Sequence, residues 1–541
     1  MHPLLQLTLA VAVSMLVIPL ARAYAPRLGL IDMPEERKVH TVPIPRVGGW
    51  GIALGSLLPI ARIYAHDPLA QSFLIGSLIL FAFGVWDDAR SIGHWMKFLG
   101  QLAAAGVVVY YGDLWVSRVP FIDSALPAAI GKPFTLFAFI GVINAINHSD
   151  GLDGLAAGES MLSLIALAIF GYMSGGDLTL AISLTTIGGV FGFLRYNSHP
   201  AYVFMGDCGS QVLGFTLGFL VVYLTQHVNT SLSAALPLLI LGLPVADIMS
   251  VLYQRIRGGM NWFKATRNHV HHRLLRLGFD HYETVVIIYS VQAALVVSGV
   301  LSRYESDLTV TLIYAVGIAV LFGALTAAER LGWRISRGRG AESRVSRAIA
   351  ALRASKTTLG APLLVITAVT PVVMVLSALW MVRIDPDVAI IAAVLALVPA
   401  IQIFWPGVLR PTLLRLAIYA TASLPAYLLI SGAVPHGARS LITAVIAVLG
   451  VAVVAYVRFS AKERFGTTPT DFLIVCGVIA LAVFGSIEVN SRNVVEAVLV
   501  ATVLMYACEI IFGSTAGTAG RRVLQFSTLA TLLIVSVRGV L

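Results

Sequence analysis

The sequence predicts an all-α fold, a polytopic bundle of transmembrane helices. Of the 541 residues, 58% are hydrophobic and only 12% are charged. The mean hydropathy is +0.88. Apolar runs recur along the whole chain, and most of them approach the roughly 20 residues that a helix needs to cross a bilayer. No mixture of soluble domains has this composition, so we expect a multi-pass membrane protein.

The predicted spans form two sets, about eleven followed by about seven. The first set lies at roughly 4–21, 48–65, 70–86, 97–112, 134–147, 159–174, 178–195, 209–226, 233–253, 284–302 and 307–326. The second lies at roughly 361–382, 387–405, 412–432, 438–457, 470–487, 493–513 and 522–540. We expect a membrane domain over 1–326, a basic cytoplasmic linker over 327–360 and an additional transmembrane domain over 361–541. No motif indicates a role for the additional domain.

Basic residues are concentrated in alternate loops of this topology. The net charge is +10, and the loops 254–283 and 327–360 are rich in arginine and lysine. The positive-inside rule puts these loops in the cytoplasm, so both chain ends should lie outside. The same rule accounts for the charge without a nucleic-acid partner. The three cysteines form no C-x-x-C pair, which predicts neither a disulfide framework nor a zinc site.

The stretch 144–155 has the sequence Asn-Ala-Ile-Asn-His-Ser-Asp-Gly-Leu-Asp-Gly-Leu and follows an apolar run. It puts the amides of Asn144 and Asn147 and the carboxylates of Asp150 and Asp153 at the foot of a hydrophobic segment. Unpaired polar groups are costly there. A glycine after each carboxylate lets the backbone bend close to a ligand. Taken alone, the stretch is equally consistent with an acidic turn between two helices.

Two further acidic motifs lie on the same predicted side. Asp87 and Asp88 end an apolar run, where adjacent carboxylates need a cation such as Mg²⁺ unless they face water. Asp207 stands just before a new span, where an N-cap is its structural alternative. A cap alone does not explain why Asn197 and Phe204 stand in the same short loop.

A histidine motif follows the ninth predicted span, with the order Arg267-Asn-His269-Val-His271-His272. Metal ligation is one option. The loop is strongly basic, however, and therefore suits an anionic ligand better, since imidazole can donate to phosphate oxygens. Asp247 lies within the preceding span, where an acid is a functional candidate by default. We expect it instead to be a structural partner of an arginine in the following loop.

Together these motifs resemble the polyprenyl-phosphate N-acetylhexosamine-1-phosphate transferase superfamily over about residues 1–326. A fifth motif, in the loop from Gly29 to Gly49, completes the family's order. The His-x-His-His pattern is similar to that of the bacterial branch that uses UDP-N-acetylglucosamine. The phospho-N-acetylmuramoyl-pentapeptide translocase branch is the alternative, but it usually has three consecutive histidines, which Val270 interrupts here. Thr266 stands where the first branch often has Asp, so the exact N-acetylhexosamine stays open.

The resemblance implies that the phosphate of undecaprenyl phosphate attacks the β-phosphorus of a UDP-sugar and that UMP leaves. Asp207, with Asp88 close, would hold Mg²⁺ or Mn²⁺, and Asp87 would deprotonate or orient the lipid phosphate. Contacts to the diphosphate or sugar would come from Arg267, His271 and His272. The uridine would be held by Asn147, Asp150, Asp153, Asn197 and Phe204, and Asn144 and His269 would also bind substrate.

The resemblance also implies a location and a pathway step. The active site would lie on the cytoplasmic face of the inner membrane, and the product would start a cell-envelope glycan. The sequence leaves a homodimer open. A lipid-linked-sugar transporter is the alternative of another class, and it would need charged residues near mid-span. Most acids here lie at predicted cytoplasmic ends, so that alternative is open chiefly for 361–541.

Overall fold

The computed structural model describes residues 3–34, 42–259, 268–335, 356–381, 384, 386–405, 411–431, 436–459, 492–513 and 517–540. The described residues are mostly helical and fall into two compact units, one within Met1–Ser336 and one from Arg337 onward. Ten of the described helices are long and apolar enough to cross a membrane. The predicted class, an all-α polytopic bundle, is confirmed.

The first unit contains thirteen described helices. They are α1 (Pro3–Leu28), α2 (Gly48–Ile63), α3 (Pro68–Arg90), α4 (His94–Gly106), α5 (Ala128–Ser149), α6 (Leu155–Met173), α7 (Asp177–Asn197), α8 (Gly206–Tyr223), α9 (Leu236–Ile240), α10 (Gly242–Arg257), α11 (Val270–Arg276), α12 (His281–Leu301) and α13 (Asp307–Arg330). A π-helical turn extends α4 over Val107–Tyr111 and another extends α8 over Leu224–Val228. Helices α6 and α8 are buried along almost their whole length and form the centre of the unit.

The first loop contains a small sheet that the sequence did not predict. Strands β1 (Ile31–Asp32) and β2 (Ile44–Pro45) are antiparallel, with Ile31 opposite Pro45. An ion pair between Asp32 and Arg46 ties the two strands together.

The predicted span 233–253 is two helices rather than one. Helix α9 ends at Ile240 and α10 starts at Gly242, whose φ of +22° is not helical. The side chain of Gln292 in α12 spans the break, since its Oε1 accepts the Leu243 N–H at 2.9 Å and its Nε2 donates to the Ile240 carbonyl at 3.0 Å. Backbone groups released by a broken membrane helix need such partners, and the buried amide supplies them.

Close backbone contacts bring α2 and α3 to the start of α8. A Cβ on Gly84 would lie 2.3 Å from the Cys208 Cα, and one on Gly49 would lie 2.3 Å from the Gly209 nitrogen. Only glycine leaves room for this approach. The end of α3 and the first turn of α8 therefore meet directly, and both carry predicted site residues.

The second unit contains six described helices. They are α14 (Lys356–Trp380), α15 (Pro386–Phe404), α16 (Pro411–Ser431), α17 (His436–Phe459), α18 (Arg492–Gly513) and α19 (Gly517–Val540). Its core consists of small and aliphatic side chains such as Ala422, Leu449 and Leu504. The predicted span 470–487 lies outside the described residues.

Candidate active site

The carboxylate of Asp88 caps the N-terminus of α8. Asp88 is buried at the end of α3, and it accepts the backbone N–H groups of Asp207 at 2.8 Å and Cys208 at 3.1 Å. The first N–H groups of a helix have no partner within it, so this carboxylate satisfies two of them. An N-cap was the structural alternative for Asp207. Asp88 takes that role instead, and Asp207 extends its side chain from the first turn.

Lys97, at the start of α4, links two of the predicted carboxylates. Its Nζ lies 2.5 Å from Asp87 Oδ2 and 2.9 Å from Asp207 Oδ2. The other oxygen of Asp87, Oδ1, is buried and has no hydrogen-bond partner among the described residues. Two carboxylates this close repel each other unless a cation lies between them. The ammonium group of Lys97 supplies that charge in this structure.

The two predicted asparagines of α5 extend this carboxylate centre. The amide nitrogen of Asn147 donates to Asp207 Oδ1 at 2.5 Å and to Ser210 Oγ at 2.8 Å. The amide nitrogen of Asn144 donates to Gln101 Oε1 at 2.8 Å. Asn147 therefore fixes the orientation of the Asp207 carboxylate, whereas Asn144 binds Gln101 of α4 and the Ile140 carbonyl of its own helix.

The loop after α5, which contains Asp150, lies against the histidine motif. Helix α11 presents His271 against this loop, and a Cβ on Gly151 would lie only 2.4 Å from His271 Nε2. Burial lowers the pKa of His271 to about 3, with His272 and His269 adding to the effect, so the ring is neutral. Burial also raises the pKa of Asp150 to about 7, and the carboxylates of Asp207 and Asp88 raise it further.

His269 is held by a carboxylate from within the bundle. Its Nδ1 lies 2.8 Å from Asp247 Oδ2, and the second oxygen of Asp247 accepts the Val270 N–H at 2.9 Å. The predicted arginine partner of Asp247 is thus not found among the described residues. Asp247 instead orients His269 and satisfies the start of α11. The rings of His148 and His271 lie 5.7 and 5.8 Å from the His269 ring.

Asn197 and Phe204 have structural contacts. Asn197 Oδ1 accepts the Gly154 N–H at 2.7 Å, and its Nδ2 donates to the Val203 carbonyl at 2.9 Å. The backbone of Phe204 pairs with Pro45 and Gly48, at 2.8 Å in each case. Asn197 thus joins two loops. That Asn197 and Phe204 contact the uridine stays a prediction. Arg267 lies outside the described residues.

Asp153 has a separate set of partners. Its Oδ2 lies 2.7 Å from His199 Nδ1 and accepts the Ala201 N–H at 3.1 Å. Its backbone carbonyl lies 3.3 Å from His281 Nε2. The described residues therefore bring Asp87, Asp88, Asp207 and Asn147 into one centre, and they give Asp153 a histidine environment of its own.

Sequence reasoning missed three kinds of contact. Lys97 was not singled out, although a lysine near the start of a predicted span could have been matched to the preceding acid pair. Gln101 and Gln292 are buried amides in apolar helices, which is a signal that a polar partner lies nearby. Ser149 donates to the buried Glu159 and so ties the end of α5 to α6.

The fold and the site define a class: a multi-pass helical membrane protein with a carboxylate centre at the helix ends. Residues 70–225 match the sequence model of Glycosyl transferase family 4. A probable undecaprenyl-phosphate N-acetylglucosaminyl 1-phosphate transferase of Bacillus subtilis is 32% identical over 308 residues, which cover 56% of this chain and 86% of that protein. The chain therefore belongs to glycosyl transferase family 4, the polyprenyl-phosphate N-acetylhexosamine-1-phosphate transferases, and it is a transferase.

Other relatives have the same extent of similarity. The undecaprenyl-phosphate alpha-N-acetylglucosaminyl 1-phosphate transferase of Escherichia coli K12 is 31% identical over 293 residues, covering 53% of this chain and 80% of the relative. The decaprenyl-phosphate N-acetylglucosaminephosphotransferase of Mycobacterium tuberculosis H37Rv is 32% identical over 300 residues, covering 50% of this chain and 74% of the relative.

Proposed function

We propose that this protein transfers N-acetylglucosamine-1-phosphate, or a related N-acetylhexosamine-1-phosphate, from a UDP-sugar to undecaprenyl phosphate. UMP is released, and the lipid-linked product starts a cell-envelope glycan. The observation that carries the proposal is the carboxylate centre, in which Lys97 bridges Asp87 and Asp207. Asp88 accepts the backbone N–H of Asp207, and Asn147 donates to its carboxylate, so both fix the position of Asp207. The names of the relatives support N-acetylglucosamine and a polyprenyl phosphate, and they do not favour the muramoyl-pentapeptide branch or a transporter.

The donor set of this centre fits Mg²⁺. Two carboxylates already share a cation in Lys97, and the buried Asp87 Oδ1 has no partner among the described residues. Mg²⁺ prefers one or two carboxylates together with phosphate oxygens. We assign the ion to Asp207 and Asp87, because the carboxylates of both already contact the cationic Nζ of Lys97, whereas the carboxylate of Asp88 caps the backbone of α8. When bound, Mg²⁺ would neutralise charge on the diphosphate.

In this reaction the protein mainly positions the reactants and stabilises their charge. An oxygen of the lipid phosphate forms a bond to the β-phosphorus of the UDP-sugar, and the bond to the leaving UMP breaks. A phosphate monoester is largely ionised near pH 7, so Asp87 need only orient the attacking oxygen or accept its last proton. Lys97 counters negative charge beside the reacting groups. The neutral His271 donates a hydrogen bond to a phosphate or sugar oxygen.

Incubation of the purified protein with Mg²⁺, undecaprenyl phosphate and a panel of UDP-sugars tests the proposal. We expect UMP release with UDP-N-acetylglucosamine or a close relative, together with a lipid diphosphate sugar detected by mass spectrometry. Turnover of only the UDP-N-acetylmuramoyl-pentapeptide would assign the chain to the other branch. Absence of UMP with every donor, from protein that is folded and bound to lipid, would contradict the proposal.

We also propose that the site faces the cytoplasm, because the basic loops lie on its side of the predicted topology. A cysteine introduced at Ser343 should react with a membrane-impermeant thiol reagent only in opened cells, and one at Asn229 should react in intact cells. Both are placed in a chain without its native cysteines. The reverse labelling pattern would put the site on the outer face.

A further inference from the structure

A second polar cluster of the first unit shares no residue with the carboxylate centre. Its members are Asp153 in the loop before α6, His199 in the loop after α7 and His281 at the first position of α12. One ligand atom from each of the three lies within 4.8 Å of the other two. The rings of His199 and His281 are stacked, with centroids 4.0 Å apart. Three segments distant in sequence therefore present a His-His-Asp set at one point.

The backbone around the cluster is held in place by buried contacts. Asn197, two residues before His199, accepts the Gly154 N–H at 2.7 Å, and Tyr289 of α12 donates to the Gly154 carbonyl at 2.6 Å. Gly154 directly follows Asp153. Each of the three segments that supply a member of the cluster is thus tied to the same glycine, so the separations within the cluster do not depend on flexible side chains alone.

The donor atoms and the local charge suit a borderline divalent cation. Imidazole nitrogens with one carboxylate are the ligands that Zn²⁺ takes in three-ligand sites. Tetrahedral Zn²⁺ with ligand atoms at about 2.0–2.2 Å places any two of those atoms roughly 3.4 Å apart. In the cluster, the His199 and Asp153 ligand atoms are 2.7 Å apart, and all three ligand atoms lie within 4.8 Å of one another. Small side-chain movements would therefore suffice to bind the ion. The Nδ1 of His281 is buried without a hydrogen-bond partner among the described residues.

We propose that Asp153, His199 and His281 form a site for Zn²⁺ or a similar transition-metal dication. The Ala201 N–H, which donates to Asp153 Oδ2 at 3.1 Å, orients the carboxylate as a supporting group. Asp280, which caps α12 and directly precedes His281, adds negative charge near the cluster. The ligands distinguish this site from the Mg²⁺ centre, because two of them are nitrogen atoms, which Mg²⁺ disfavours.

The location of the site suggests what the ion does. Asp153 is one of the residues predicted to hold the uridine, and a carboxylate bound to Zn²⁺ is less available to a nucleotide. Zn²⁺ would therefore weaken nucleotide binding, a consequence that rests on the proposed function. The metal site itself is independent of that function and is tested without turnover.

The test is metal titration of the full-length protein, purified without a histidine tag, stripped with chelator and kept in excess Mg²⁺. We expect one Zn²⁺ per chain by calorimetry and, with Co²⁺ as the probe, the intense visible absorption of a tetrahedral site. His199→Ala and His281→Ala should each weaken binding more than about tenfold, since even loss of a supporting group costs that much. His66→Ala, which removes an exposed histidine before α3, is the matched control.

The outcomes separate the possibilities. Stoichiometric Zn²⁺ that is unchanged in both cluster variants, or no stoichiometric binding at all, overturns the site. The more conservative His199→Gln and His281→Gln variants are used if the alanine variants elute as aggregates. UMP titrations with and without Zn²⁺ then test the consequence. UMP that fails to bind without Zn²⁺ contradicts the proposed function, whereas UMP affinity unaffected by bound Zn²⁺ contradicts only the competition.

Discussion

The two units satisfy their polar side chains in different ways. In the first unit, many of these bonds join segments far apart in sequence, as from Lys97 to Asp207 and from Tyr289 to Gly154. In the second unit, a smaller share of the described bonds does so. Most described serine and threonine hydroxyls there donate to a carbonyl three or four residues earlier in the same helix, as many hydroxyls of the first unit also do. Examples are Thr421 to Ala417, Ser527 to Leu524 and Thr531 to Ser527.

The difference shows where the chain specifies a precise site. A hydroxyl bonded within its own helix is satisfied as soon as the helix forms and places no demand on its neighbours. A long-range network stabilises only one tertiary arrangement, and a half-satisfied network is costly. Functional side chains need such networks, because supporting hydrogen bonds keep them in a fixed geometry. Among the described residues of the second unit, the long-range side-chain contacts join Glu509 to Arg415 and Tyr419, Thr443 to Glu496, and Arg538 to the carbonyls of Ala378 and Leu379.

The sharpest test of this contrast removes one carboxylate from each unit. We expect Asp207→Asn to lower UMP release by about a thousandfold or more, because the change removes a carboxylate assigned to Mg²⁺, the ion that would neutralise charge on the diphosphate. Glu509→Gln, which removes a paired carboxylate from the second unit, should leave turnover within the same order of magnitude. Steady-state UMP release, with size-exclusion profiles as the check on folding, measures both. Equal losses in the two variants would abolish the distinction between the units.

The histidine motif should show a smaller effect. We expect His271→Ala to lower turnover by about 10- to 100-fold, because a neutral donor to the substrate is lost while the carboxylate centre remains. Bound Zn²⁺ should not change, since His271 is not a member of the Asp153 cluster. The exposed His227 provides a control as His227→Ala. Metal analysis that finds Zn²⁺ lost together with His271 would instead make this motif a metal site.

The charge of Asp150 should affect stability rather than only turnover. Because burial raises its pKa to about 7, the folded protein keeps a proton on Asp150 between about pH 4 and pH 7 that the unfolded chain releases. Raising the pH through this window therefore favours unfolding through this group. Asp150→Asn removes the effect, so its melting temperature relative to the parent should rise by a few degrees from pH 4 to pH 7. If the melting temperatures of the two proteins change with pH in the same way, the raised pKa of Asp150 is contradicted.

The sequence alone predicted the helical class and singled out Asp87, Asp88, Asp207 and Asn147, because apolar runs and clustered polar residues are local signals. It did not single out Lys97. It did not predict the division of tasks within the centre. That Asp88 caps α8 while Asp87 faces Lys97 depends on how α3, α4 and α8 meet, which no spacing along one segment contains. The break before α10 was missed for the same reason, since Gln292 that satisfies it belongs to α12.

The smallest effect is expected from removing the second unit. All described members of the carboxylate centre, the histidine motif and the Asp153 cluster lie before α12 ends, and the supporting ion pair of Arg273 ends at Glu329. Each unit has its own buried core, and a helical membrane bundle satisfies its backbone without a partner unit. A chain ending at Ala354 should therefore keep UMP release within the same order of magnitude in detergent with added undecaprenyl phosphate. The assay is run beside the full-length protein at matched concentration. If the shortened chain inserts, purifies as one species, binds UMP and yet does not turn over, then the second unit contributes to the reaction, and its smaller share of long-range hydrogen bonds is no guide to where the chemistry lies.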